Sequence, residues 1–121
     1  MSYDYWLMRA RNPIRGGADV DEPNVAPIGT LQEIKSLVQK ARPDFARNEK
    51  DQYWWFKDES ANVRLHVGFG EPGPQFLVIT VKAWWRERFH EQLVALATSL
   101  GLFAFDPQQG RVVGGVAEPP S

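Results

Sequence analysis

The chain of 121 residues has two histidines, five serines and no cysteine, and these set the limits of its chemistry. A serine nucleophile needs an imidazole within hydrogen-bond reach and donors for the oxyanion. No G-x-S-x-G occurs, and Ser2, Ser36, Ser60, Ser99 and Ser121 fall on helices, turns or ends. The lack of cysteine excludes a thiolate nucleophile, a disulfide scaffold and any thiolate metal site. Asp19, Asp21, Glu22 and Asn24 resemble the ligand run of a calcium loop. The twelfth position from Asp19 is Thr30 rather than a bidentate glutamate, however, and Pro23 interrupts the run. His90 with Glu87 or Glu91 offers one edge of a metal site, and no second histidine joins it. Gly68-Phe69-Gly70 lacks the third glycine, the lysine and the following helix of a phosphate-binding loop. No cofactor or metal is expected, and no catalytic residue is assigned.

Stickiness remains as a source of function. Five tryptophans and seven phenylalanines are more than a domain of this size can hide completely. The adjacent pairs Trp54–Trp55 and Trp84–Trp85 are the informative ones. Neighbours on a strand point to opposite faces, so one of the first pair is expected on an open face. Exposed aromatics flanked by arginine supply the energetic centres of protein interfaces. The expected partner-binding residues are Trp55 and Trp84, the polar set Arg64, His66 and Lys82, and the loop acids Asp19, Asp21 and Glu22. An enzymatic or small-ligand domain using Arg64, His66 and Lys82 is the alternative. A single-stranded nucleic-acid binder is a further one, but the net charge is −1 and acids are interleaved throughout.

Periodicity fixes the elements that must position these groups. Residues 3–10 are apolar or aromatic at nearly every position, which suits a strand partly covered on both faces. Residues 11–29 hold Pro13, Gly16, Gly17, Pro23, Pro27 and Gly29, a long loop. Thr30 and Glu33 have capping-box spacing, and Leu31, Ile34, Leu37, Val38 and Ala41 mark one face of a helix ended by Pro43. Residues 52–58 form a strand, and Val63, Leu65, Val67 and Phe69 alternate with polar residues or glycine in the next. After a Glu71-Pro72-Gly73-Pro74 turn comes a strand over 76–83. The second helix, 84–100, carries the stripe Phe89, Leu93, Leu96, Leu100 and ends at Gly101. Residues 102–105 and 111–113 pair as a hairpin through Asp106-Pro107-Gln108-Gln109-Gly110.

The predicted fold is therefore α+β. It is a two-layer sandwich in the order β-α-β-β-β-α-β-β, with both helices on one face of an antiparallel sheet. The other face, bearing Arg64, His66, Thr80 and Lys82, is expected to meet solvent. One domain spans 1–113, and 114–121 has no pattern that could pack and is expected to be a loose tail. No apolar stretch approaches the roughly 20 residues of a membrane span, so membrane association is not expected and the chain is read as cytoplasmic.

The opening "MSYDYWLM", the helix "IGTLQEIKSLV" and the closing "LGLFAFDPQQGRVV" together resemble small bacterial α+β immunity proteins, which neutralise polymorphic or secreted toxins. The resemblance implies a cytoplasmic, cofactor-free inhibitor that occludes the active site of one cognate toxin domain. It carries over no functional residue, because such proteins vary most where they touch their partners.

Overall fold

Local signals and tertiary contacts agree best in the helices. α1 (Leu31–Ala41) opens on a complete capping box. The Glu33 N–H donates to Thr30 Oγ1 at 3.2 Å, and the Thr30 N–H donates to Glu33 Oε1 at 3.3 Å. Two of the helix's otherwise orphaned donors are thereby satisfied. α2 (Arg86–Leu100) follows a single 3-10 turn, Ala83–Trp85, and stops at Gly101, whose φ of 70° suits a residue without a Cβ. The Leu102 N–H then reaches back to the Ala97 carbonyl at 2.8 Å, closing the helix end. The structure, a computed structural model, describes residues 2–43, 46–50, 53–57, 63–67 and 76–119. The predicted turns at 59–62 and 71–74 and the glycines at 68 and 70 lie outside the described residues.

The strands are β1 (Ser2–Ala10), β2 (Val25–Ala26), β3 (Ala46–Lys50), β4 (Tyr53–Lys57), β5 (Val63–Val67), β6 (Phe76–Lys82), β7 (Phe103–Asp106) and β8 (Arg111–Gly115). Their order across the sheet is β3-β4-β5-β6-β1-β7-β8, all neighbours antiparallel, with β2 paired to the end of β1. The α+β class is as predicted. The element order differs by two additional strands. β2 is two residues long and sits between Pro23 and Pro27, too short to show a period. β3 reads Ala-Arg-Asn-Glu-Lys and has no apolar alternation. It pairs with β4 at the edge of the sheet, and its charged composition discourages further pairing.

Register explains the two faces. Tyr5 pairs with Ile79 and Ile79 with Leu65, while Leu7 pairs with both Leu77 and Ala104. These residues share one face and pack with Ile34 and Val38 of α1 and Phe89, Leu93, Leu96, Ala97 and Leu100 of α2. Fully burying side chains of this kind stabilises by about 1.5–3 kcal/mol each.

The opposite face departs from expectation where β1, β7 and β8 lie. Met8, Ala10, Phe103 and Phe105 form a second buried cluster with Ile14 and Val25 of the long loop, and Trp6, Val20, Val112 and Ala117 pack on it. That part of the sheet is covered rather than open to solvent. The loop is itself ordered by 3-10 turns at Gly17–Asp19 and Glu22–Asn24. It lies flush on the hairpin: a Cβ at Gly17 would collide with the Gly110 carbonyl oxygen.

The segment read as unable to pack does pack as far as Ala117. β8 runs to Gly115, the Val116 N–H donates to the Leu102 carbonyl at 2.7 Å, and the Ile14 N–H donates to Ala117 at 2.8 Å. Glycine hides this segment from a hydrophobic pattern. A Cβ at Gly115, where φ is 98°, would come within 2.5 Å of the Leu102 oxygen.

Candidate functional site

The sequence-predicted residues fall into separate places. Asp19 is spent on its own loop: Oδ2 accepts from the Arg15 N–H at 2.8 Å, and its carbonyl accepts from Asn24 Nδ2 at 2.9 Å. Asp21 is exposed, and its backbone joins the same turn network through Asp19 and Asn24. Glu22 begins the second 3-10 turn, and its side chain lies outside the described ones.

Trp55 and His66 are register partners on β4 and β5, and His66 in turn pairs with Val78 and Val78 with Trp6. Arg64 pairs with Thr80, which pairs with Asp4. The side chains of Trp55, Arg64 and His66 are outside the described ones. Thr80 Oγ1 donates to Asp4 Oδ1 at 2.7 Å, so this stretch of the face carries a formed polar pair. Lys82, exposed at the end of β6, is opposite Ser2.

Trp84 lies one turn further, at the corner where β6 gives way to α2, and is 66% exposed. Its ring meets Trp85 edge-on, with centroids 5.4 Å apart. Trp85 packs on the helix-face core, and the Arg88 guanidinium sits 5.2 Å from its ring. One tryptophan of the pair thus anchors the corner and the other is presented outward. Among the described residues, the large exposed hydrophobics are Trp84 and Leu37.

The residues that sequence reasoning missed lie on the helix face, between the start of α2 and the β7–β8 hairpin. Asp106 ends β7 and is only 3% exposed. Its Oδ2 accepts a short hydrogen bond from the Tyr3 hydroxyl. Its Oδ1 accepts from the Gln108 and Gln109 N–H groups at 3.0 and 3.2 Å, which folds the hairpin turn around it. A buried carboxylate costs free energy unless it is paired in this way. The bond to Asp106, then burial, holds the Tyr3 phenol above its usual pKa. Arg86 lies over the Tyr3 ring, 4.3 Å from its centroid.

Beside this pair opens a cleft of about 300 Å³, lined by Tyr5, Arg86, Glu87, His90, Asp106 and Arg111, with Gln109 and Val113 at its hairpin side. Tyr3 and Asp106 are 103 residues apart, so only the sheet order brings them together. The available signal was weak: two tyrosines on one face of β1 and an aspartate ending another strand.

Among the described residues, no three His, Asp or Glu side chains cluster as a metal site, and no helix is long and apolar enough to cross a membrane. Comparison with protein-family models, with curated proteins and with solved structures returned no match for this chain.

Proposed function

We propose that this chain is a non-enzymatic protein-binding domain that works by occlusion, with Trp84 as the anchor its partner receives. The observation that carries this reading is an indole 66% exposed on a fold that buries its other described tryptophans at least partly. Trp85 braces the indole from the side, so little side-chain freedom is lost when a partner covers it. Tryptophan is the residue type most enriched at interface hot spots. Exposed Lys82 sits at the same corner and supplies a polar rim. The partner class is the one implied by the sequence resemblance, a bacterial toxin domain, and the chain's role is then that of a cytoplasmic immunity protein.

Binding is the test. A toxin domain encoded beside this gene is titrated against the native chain and against Trp84→Ala. A dissociation constant raised tenfold or more in the variant, with an unchanged melting temperature, supports the proposal. Equal affinity of the two chains, or no binding by the native one, overturns it.

A further inference from the structure

The cleft beside Asp106 is lined by a buried hydroxyl that no described residue pairs. Tyr5 is 6% exposed and lines the cleft. Its ring contacts Tyr3, yet among the described residues its hydroxyl makes no hydrogen bond. A buried hydroxyl without a partner costs free energy, and the native fold retains it. The surrounding charges say what kind of partner is missing. Arg86 and Arg111 both line the cleft, and among the described residues neither guanidinium forms an ion pair. Arg86 is held in place by its stacking on Tyr3.

Asp106 has its carboxylate oxygens occupied by three neutral donors, so none is left to pair Arg86 or Arg111, although its negative charge still reaches Tyr5. Glu87 is the second acid of the lining, on an exposed helix position, so two carboxylates stand beside the two guanidinium groups. Burial raises the Tyr5 pKa, Arg86 lowers it, Asp106 raises it and Arg111 lowers it more weakly, so both cations and the Asp106 carboxylate are within electrostatic reach of the phenol.

We propose that this cleft is a binding site for a small ligand bearing a carboxylate or phosphate group. Tyr5 donates its hydroxyl hydrogen to one oxygen, and Arg86 and Arg111 take the others through charge-assisted hydrogen bonds. His90 and the Gln109 side chain border the ligand. The volume lies at the lower end of the small-molecule range, which limits the ligand to a compact one. The site lies apart from the Trp84 anchor in its residues, and it stands or falls independently of the protein-binding role.

The experiment is an amide NMR titration of the full chain with sodium phosphate and, separately, with sodium succinate, with sodium chloride holding ionic strength constant. Saturable shifts are expected at Gln109, Arg111 and His90 with at least one of the two anions, and the anion that saturates identifies the ligand chemistry. Arg111 is exposed at a strand start, so Arg111→Gln keeps the fold and is expected to raise the half-saturation concentration about tenfold. Tyr5→Phe keeps the ring and raises it roughly fivefold. Glu87→Gln, on an exposed helix position, lowers it by removing a repulsive charge. Trp84→Ala leaves it unchanged. Shifts that grow linearly with both anions, or saturation that Arg111→Gln leaves unaltered, overturn the proposal.

Discussion

The two faces of the sheet are built on different principles. On one, regular helices lay periodic stripes across Tyr3, Tyr5, Leu7, Leu77 and Ile79. On the other, an irregular loop drops single residues, Ile14, Val20 and Val25, onto Met8, Phe103 and Phe105. Both arrangements exclude water from the strands between them: every residue of β7 is buried. Helix packing concentrates its apolar contacts in elements whose backbone bonds are internal. Loop packing has to satisfy its backbone piecemeal, through contacts such as Arg11 N–H to the Asn24 carbonyl at 2.8 Å and Ile14 N–H to Ala117. The loop side is therefore the one with more freedom to relax when a side chain is removed.

That contrast is open to measurement. The largest loss is expected from Phe89→Ala on the helix side, about 3–5 kcal/mol in urea unfolding, because α2 cannot collapse into the space left behind. Asp106→Ala comes next, at about 3 kcal/mol. It removes the Tyr3 partner and the acceptor of two turn N–H groups in one step. Ile14→Ala on the loop side is expected to cost about 2 kcal/mol, the low end for such a truncation, with amide exchange rising first in residues 11–26. A cost equal to that of Phe89→Ala would erase the distinction between the faces.

A smaller effect depends on pH. The folded chain holds the Tyr3 proton more tightly than the unfolded chain does, and burial acts on Tyr5 in the same direction. This contribution to stability is complete below about pH 10 and is lost as pH rises through the raised folded value. Tyr3→Phe should lower stability at neutral pH and flatten its decline above about pH 10, read by urea midpoints across pH. Trp84→Ala should change stability least, within about 0.5 kcal/mol, since the side chain is mostly in water.

The same contrast explains what could be read from sequence. The capping box of α1, the stripe of α2, its glycine stop and the Asp106–Gly110 turn were legible because each is a local pattern with a fixed spacing. Of the α1 stripe, Ile34 and Val38 are buried while Leu37 stays 37% exposed, so even there the pattern gives the face better than its margin. The doubly covered β1 was legible from its lack of alternation.

The loop's docking was not, because Ile14, Val20 and Val25 follow no period. β3 was missed because backbone pairing without apolar alternation leaves no trace in composition. Of the candidate site residues, the Trp84–Trp85 pair stood out in the sequence but which of the two faces outward did not, and Asp19 is consumed by its own turn. Tyr5, Arg86 and Arg111 come together only through the β1–β7 adjacency, which no local spacing encodes.

The position of β1 governs how the chain reaches this fold. The strand lies between β6 and β7, both of which are made long after it. At about 5–20 residues per second, Tyr3, Tyr5 and Leu7 leave the ribosome several seconds before either partner strand exists. Pairings of such long sequence separation fold slowly. The nascent polypeptide therefore carries Tyr3, Tyr5 and Trp6 without their sheet partners until β6 and β7 have been made.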